Sequence, residues 1–267
     1  MGYEMRYLAN LIHEKDIFTS TKETVHVLEL EKTIDPIVFD EWANHFRRCY
    51  CDDAIIDRLI KGTKYGSKEE YLLEKRFPSE KTSLGSATRT GDFSELLVSD
   101  YLEYVFNYII PKDRYRHKFN PDTSSQGNDV IGFKLVDDKC TINDEMVLFE
   151  VKGKKQAPLT DNRLQKAIDD TYKDYLNEAE ILDTLKQRAI ERGDDNTENL
   201  VARFQDKVRK PYSTKYGAAA VLEKAIYDDG MITAVNGKKP VEWLIVIKRE
   251  NLKLLIDELY ERAAKLA

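Results

Sequence analysis

The sequence has few cysteines and no long apolar run. Its three cysteines are an odd number without zinc-type spacing, which argues against a disulfide framework or a zinc module. We therefore expect Cys49, Cys51 and Cys140 to be free thiols. No apolar segment approaches the ~18 residues that span a bilayer, and the N-terminus lacks the basic-then-apolar order of a signal peptide. These absences predict a cytoplasmic protein that does not enter the membrane.

The chain also lacks an excess of positive charge. Its 42 Lys and Arg residues face 48 Asp and Glu residues, which gives a formal net charge of −6. Proteins bind nucleic acid non-specifically through Lys and Arg side chains that release counterions from the phosphates. The net charge therefore argues against a protein that binds nucleic acid with its whole surface. Any such affinity has to come from a local patch or from a partner protein.

The sequence predicts a division near residue 86. The alternating segment at 23–30 predicts a strand. Three helical segments follow it, one from Pro36, one at 54–61 and one from Ser67. The polar stretch 79–86 is then the candidate boundary. We predict an N-terminal α/β accessory region at 1–86 and a larger domain at 87–267.

The larger domain has the pattern of an α/β protein. Its predicted elements, in chain order, are a helix from Gly91, strands at 114–119, 129–136 and up to Gly153, a helix at 162–175, a charged helical insertion at 177–210, a strand at 241–247 and a terminal helix at 251–265. This order predicts a mixed central sheet flanked by helices. The insertion should project as a hairpin, whose charges fit a solvated surface at least as well as a binding role.

Charged residues occur where apolar strands end. Glu150 and Lys152 alternate with Phe149 and Val151, so the two charges share one face of a strand that is otherwise built for burial. Because buried charge is costly unless it is paired or bound to a metal, such a strand places its charges at a sheet margin or in a cleft. Asp129 opens the preceding strand. This arrangement suggests a metal-dependent phosphodiesterase site.

Each residue also has a simpler interpretation. Asp129, after Gly-Asn, fits an ordinary turn. Glu150 and Lys152 fit a salt-bridging pair at a strand end. Glu95, in the predicted first turn of its helix, is favourable for dipole reasons alone. Only the order and spacing of the set favour the catalytic interpretation.

Three short motifs carry a family resemblance: TGDFSE at 90–95, QGND at 126–129 and FEVK at 149–152. Their order resembles the PD-(D/E)xK nuclease superfamily, with Asn128 standing where the proline of the name would be. More narrowly, they resemble the HamA family, the nuclease subunits of bacterial Hachiman anti-phage defence systems. The resemblance implies a restriction-endonuclease-like core.

The resemblance also implies a metal site. Asp129 and Glu150 would bind Mg²⁺, for which Mn²⁺ would substitute, since two carboxylates suffice to anchor a hard cation that keeps several waters. The backbone carbonyl of Val151 would add a ligand, and Glu95 would act through water or help to bind a second metal. Lys152 would orient the attacking water or stabilise the phosphate in the transition state.

Contacts with DNA are expected beside that site. Lys154 and Lys155 extend the positive end of the strand, and Gln165 lies on the following helix, where related nucleases place a polar residue. The strand at 114–119 mixes cations with aromatic residues, although alternation alone also explains it. The histidines form no metal-type spacing or cluster, so we expect core or surface roles for them; they are His13, His26, His45 and His117.

The resemblance implies a DNA endonuclease or nickase that a HamB-like helicase partner holds inactive until foreign or damaged DNA is sensed. The helicase would dock on the 177–210 insertion or on the aromatic residues Phe39, Trp42 and Phe46, for which core packing is the better explanation. Two alternatives remain open at this point. One is a non-catalytic interaction subunit on a nuclease-like fold. The other is a stand-alone restriction-type endonuclease, although no helix-turn-helix or zinc module is evident.

Overall fold

The described residues form one mixed six-stranded sheet. The computed structural model describes residues 5–116, 118–124, 127–137, 140–158 and 161–267. The strands lie in the order β1-β2-β6-β5-β4-β3, and their bounds are Leu11–Phe18 (β1), Thr24–Leu30 (β2), Val130–Lys134 (β3), Glu145–Lys154 (β4), Ser213–Glu223 (β5) and Val241–Arg249 (β6). The four central strands are parallel, and the edge strands β1 and β3 are antiparallel to their neighbours. The α/β class with a mixed sheet is confirmed.

Helices cover both faces of the sheet. They are Pro36–Tyr50 (α1), Ile56–Ile60 (α2), Lys68–Tyr71 (α3), Ser83–Asp100 (α4), Arg163–Leu176 (α5), Glu178–Arg192 (α6), Asp195–Phe204 (α7), Asp229–Thr233 (α8) and Leu252–Lys265 (α9). The Asp35 side chain caps α1 by accepting from two backbone N–H groups, and Pro36 supplies its first residue. Among the described helices, none is long and apolar enough to cross a membrane.

Strand alternation divides the core into two layers. On β4, Val147, Phe149 and Val151 face one layer, which also contains apolar residues of α1, α4 and α9. Met146 and Leu148 face the other layer, with residues of α5 and α7. Even-numbered positions of β4 therefore point towards α5, and this parity decides where Glu150 and Lys152 lie.

The N-terminal region contributes to the same sheet. β2 pairs in parallel with β6, and Val25 lies opposite Leu244. Trp42 and Phe46 are buried in the layer that contains α9, and the Phe46 ring packs edge-on against Tyr260 at 4.9 Å between centroids. These aromatic residues are thus core residues. The division of the chain at residue 86 stays a prediction.

Two predicted elements were wrong, one in where it begins and the other in its type. α4 begins at Ser83, where the Thr82 hydroxyl accepts from the Gly85 N–H, and not near Gly91. Gly85, in the stretch predicted as a linker, is closely packed instead, since a Cβ there would lie 2.2 Å from the Ser79 carbonyl oxygen. A Cβ at Gly153 would lie 2.4 Å from Ser94 Oγ, so α4 and β4 touch at this point. The strand predicted at 114–119 is a short 3₁₀ helix, Asp113–Tyr115, and His117 lies outside the described residues.

The charged insertion is helical, but it does not project. α6 and α7 are joined at Gly193, whose φ of 67° suits glycine. One side of the hairpin is buried, and the Phe204 ring packs on Phe133 of β3 with 4.8 Å between centroids. Arg203 also binds the buried Asp144 carboxylate at 2.7 Å. The hairpin is therefore part of the second core layer.

The strand β5 was not predicted, because its sequence is atypical of a β-strand. Its centre, residues 217–220, is Gly-Ala-Ala-Ala, and these small residues have low β-propensity. The structure explains the glycine, since a Cβ at Gly217 would lie 2.2 Å from the Phe149 ring on the neighbouring strand. Packing on both faces, rather than local preference, makes this segment a central strand.

Candidate active site

The candidate site lies where β4 runs past the start of β3. β3 begins at Val130, opposite Phe149, so the next residues of β4 extend beyond it. Asp129 occupies this gap. Its Oδ2 accepts from the Val151 N–H at 3.0 Å, and its own N–H donates to Glu150 Oε1 at 3.4 Å. The structure thus brings together the two predicted carboxylates.

Lys152 sits among the carboxylates. Its Nζ is 2.7 Å from Glu150 Oε2, 3.1 Å from Asp170 Oδ2 and 3.7 Å from Asp129 Oδ2. Burial lowers the pKa of Lys152, but the Glu150 and Asp129 carboxylates outweigh it and hold the pKa well above its ordinary value. The ammonium is therefore charged at neutral pH, and it is held by three separate elements.

The helix α5 supplies two acids that sequence reasoning missed. Asp170 binds Lys152, and Asp174 accepts from Asn128 Nδ2 at 2.6 Å and shares a hydrogen bond with the Glu150 carboxyl. The signal was present, because residues 170 and 174 are one helical turn apart and continue the buried stripe of α5. An acid on the buried face of a helix packed against Glu150 should have been a candidate.

The cluster holds more carboxyl groups than Lys152 can balance if all of them ionise. Burial first, and then the Asp129 carboxylate, raises the pKa of Glu150 to about 9, which outweighs the effect of Lys152. Burial likewise raises the pKa of Asp174. Neighbouring carboxylates raise each other's pKa in this way when no further positive charge is near. Asn128 Oδ1 is also buried without a hydrogen-bond partner among the described residues.

Glu95 reaches the cluster from the other face of the sheet. It lies in the interior of α4, so the dipole explanation for its position was wrong. Tyr115 Oη donates to Glu95 Oε2 at 2.9 Å, and Arg114 Nη1 lies 3.5 Å from Glu95 Oε2 and 3.4 Å from Asp129 Oδ1. Burial raises the pKa of Glu95 to about 7 against the opposing effect of Arg114. Arg114 thus links the two carboxylates. The predicted strand at 114–119 did not indicate this role.

The predicted DNA-binding residues do not gather here as a group. Lys154 shares the face of Lys152 at the end of β4. Lys155 is buried and donates to the Ser86 carbonyl at 3.0 Å, towards α4. Gln165 pairs with the backbone of Asn236, with distances of 2.8 and 3.2 Å. Gln126, part of the second motif, lies outside the described residues.

A cavity of about 170 Å³ adjoins Asp129. Its lining includes Asn128 and Arg114 on one side and Thr184 and Arg188 of α6 on the other. The charged insertion therefore forms one wall of the space beside the candidate site.

The prediction that the histidines do not cluster was wrong for one pair. His13 and His26 both contact the same oxygen of Asp16, at 2.8 and 2.9 Å. His45 pairs with the buried Asp100, as expected for a core residue. The first contact joins two strands, so no local spacing in the sequence reveals it.

Comparison with protein families adds an independent finding. A comparison with curated proteins finds no match. The model of the HamA family matches residues 5–263, which include every residue of the Asp129, Glu150 and Lys152 cluster. Since this match spans nearly the whole chain, the protein belongs to the HamA family and is associated with Hachiman defence.

Proposed function

We propose that this chain is a metal-dependent nuclease that cuts DNA in Hachiman defence. The observation that carries the proposal is the packed set of Asp129, Glu150 and Lys152 beyond the start of β3, which holds more buried carboxyl groups than Lys152 alone can balance. A structural salt bridge needs one carboxylate for one lysine. Here Lys152 is shared by three carboxylates, which is typical of a site built for an additional cation.

The donor set fits Mg²⁺, for which Mn²⁺ substitutes. Asp129 and Glu150 would hold the ion with carboxylate oxygens, the ligands that hard cations prefer. The Val151 N–H faces Asp129, and in an extended strand the carbonyl of the same residue points to the same edge. The unpartnered Asn128 Oδ1 suits a water of the hydrated ion. When bound, the metal supplies charge neutralisation at the phosphate and lowers the pKa of its bound water.

The protein's own groups orient the substrate. Lys152, fixed by Glu150 and Asp170, presents a charged ammonium that stabilises negative charge growing on the phosphate oxygens. Arg114 holds the Asp129 carboxylate from its other side, and Tyr115 orients Glu95. Because these supports come from packed elements, the site is preorganised and needs little rearrangement when substrate binds.

Cleavage of supercoiled plasmid tests the proposal. The purified protein, alone and with the helicase encoded beside it, is incubated with Mg²⁺, Mn²⁺, Ca²⁺ or EDTA. Asp129→Asn, Glu150→Gln and Lys152→Met should each reduce cleavage by at least ~100-fold, since each removes a group that acts in the transition state. Ca²⁺ should support binding with little turnover. Lys253→Met is the matched control, because it removes an exposed lysine of α9 that belongs to no candidate site.

The proposal fails if folded Glu150→Gln protein cuts at the wild-type rate or if exhaustive chelation leaves activity unchanged. No cleavage under any condition, with or without the helicase, would favour a non-catalytic interaction subunit. Vigorous cleavage by a protein that ignores the helicase would favour a restriction-type enzyme.

We further propose that the partner helicase docks on the insertion. An acidic protein binds DNA weakly by itself, so a partner has to deliver the nuclease. α6 exposes the carboxylates of Asp183 and Glu191, while its other side lines the cavity beside Asp129. Docking there would act directly on the site.

Charge reversal tests the docking surface better than deletion, because deleting α6 would remove the buried Leu182 and Ala189. Asp183→Lys with Glu191→Lys should weaken co-purification with the helicase and leave the fold intact. Glu69→Lys with Glu74→Lys changes the charge equally on another exposed surface and serves as the control. Equal binding by both double variants would exclude this surface.

A further inference from the structure

A second group of candidate metal ligands lies on the β1–β2 hairpin. His13 Nε2 is 2.8 Å and His26 Nδ1 is 2.9 Å from Asp16 Oδ1. One ligand atom from each of the three side chains lies within 4.8 Å of the others. Ligands of one tetrahedral zinc ion are roughly 3.4 Å apart, as bond lengths of 2.0–2.1 Å require. Small side-chain rotations therefore suffice to bind an ion.

A β-bulge creates this arrangement. His13 lies opposite Leu28 and Lys15 opposite Val27, so β1 has one extra residue, Glu14, between them. In a regular strand, residues three apart point to opposite faces. The bulge shifts the phase and puts His13 and Asp16 on one face. Asp16 also lies directly opposite His26, which completes the group.

The extra residue does not belong to the group. Glu14 turns its carboxylate to Lys248, with 2.6 Å between Oε2 and Nζ. The bulge therefore separates Glu14, which pairs with Lys248, from Asp16, whose Oδ1 contacts the imidazoles of His13 and His26. This separation makes Glu14 a natural control for Asp16.

The two imidazoles line a cavity of about 800 Å³. Its other walls are mainly aromatic, with two lysines, and are formed by Tyr101, Phe106, Tyr108, Lys134, Lys215 and Trp243. His26 pairs with Ile245, which lies opposite Ala219, and Ala219 lies opposite Val151. His26 therefore shares the face of Val151, whereas Glu150 and Lys152 point to the other face. The two sites thus lie on opposite faces of the sheet, with β5 and β6 between their strands.

We propose that His13, Asp16 and His26 bind one divalent transition-metal ion of the zinc class. Two imidazole nitrogens and one carboxylate oxygen suit zinc or cobalt and discriminate against Mg²⁺, which prefers oxygen ligands. Three protein ligands leave a coordination position for water or for a donor atom of a small molecule in the adjoining cavity. The ion would also fasten the edge strand β1 to β2.

Cobalt binding to the full-length protein tests the proposal. Metal-free protein is titrated with Co²⁺ in the presence of excess Mg²⁺, which occupies oxygen-ligand sites, and the visible d–d absorption is recorded. We expect one equivalent to bind and Zn²⁺ to displace it. His26→Gln and Asp16→Asn should weaken binding at least ~10-fold, as loss of a ligand or its support does. Glu14→Gln and Glu150→Gln should bind as the wild type does.

Thermal unfolding gives a second readout. Zn²⁺ should raise the melting temperature of the wild type and not that of His26→Gln, because only an ion bound to the folded state stabilises it. The proposal is overturned if His26→Gln binds Co²⁺ as tightly as the wild type. It is also overturned if no ion binds, or if a thiolate charge-transfer band assigns the ion to a cysteine. Cleavage plays no part in either measurement, so a failed nuclease proposal leaves this test intact.

Discussion

Replacing Glu150 with glutamine should stabilise the metal-free protein. The carboxyl is buried beside Asp129 and Asp174, and burial with the Asp129 charge raises its pKa from 4.5 to about 9. Glutamine has nearly the same shape and carries no charge. Lys152 keeps its contacts with Asp170 and Asp129 in the variant. The substitution therefore removes a buried carboxyl group whose ionisation is unfavourable, and Lys152 still has two carboxylate partners.

The sign follows from proton binding. Because the pKa of Glu150 is higher in the folded state, the group's contribution to stability is complete below pH 4.5 and is lost as the pH rises through about 9. Each pH unit in this window is worth about 1.4 kcal/mol. From pH 4.5 to pH 7 the free energy of unfolding of the wild type thus falls by up to about 3 kcal/mol, whereas that of the glutamine variant does not fall from this cause. We expect Glu150→Gln to be more stable by about 1–3 kcal/mol at pH 7 to 8.

Urea denaturation in EDTA at several pH values measures this difference. The gap between the variant and the wild type should widen from pH 6 to pH 8. Adding Mg²⁺ should then stabilise the wild type and not the variant, because only the wild type retains both proposed metal ligands. Glu69→Gln, an exposed carboxyl on α3, should change stability by less than ~0.5 kcal/mol throughout.

The reasoning would be refuted by a Glu150→Gln protein that is less stable than the wild type in EDTA at pH 8. A gap that does not change with pH would equally show that Glu150 is not held in its protonated form. Either result would remove the argument that ionisation of Glu150 is unfavourable in the metal-free cluster.

Further predictions concern packing and buried charge, and urea denaturation measures each. Lys112→Met removes the lysine from the buried Asp100, which keeps His45 and the Tyr7 hydroxyl as partners, and should cost about 1.5–3 kcal/mol, whereas Lys253→Met breaks an exposed pair and should cost under ~1 kcal/mol. Gly153→Ala forces a Cβ to 2.4 Å from a side-chain oxygen of α4 and should cost about 1–3 kcal/mol; Gly66→Ala, with its nearest neighbour at 3.7 Å, should be close to neutral. Phe204→Ala removes the ring that packs the insertion on β3 and should cost about 3–5 kcal/mol. Equal effects in a variant and its control would contradict these assignments.

Most helices and the apolar strands could be predicted because their signals are local. The Asp35 cap, the run at Val241 and the stripe of α5 each fix an element within one segment of chain. β5 could not be predicted, because small residues suit it only when Phe149 fills the space above Gly217. The start of α4 was missed for a similar reason, since Gly85 is explained by its close contact with Asp122, which is distant in sequence.

For the candidate site, the sequence by itself determined that Glu150 and Lys152 share one face of a strand, because side chains alternate between the two faces along it. Only the tertiary structure decided which groups surround them. Asp174 and Arg114 come from α5 and a 3₁₀ helix, and their contacts bridge segments that are distant in sequence. The His13 and His26 pair likewise depends on strand pairing and on a bulge. Long-range packing sets such distances, and no short window of sequence contains both partners.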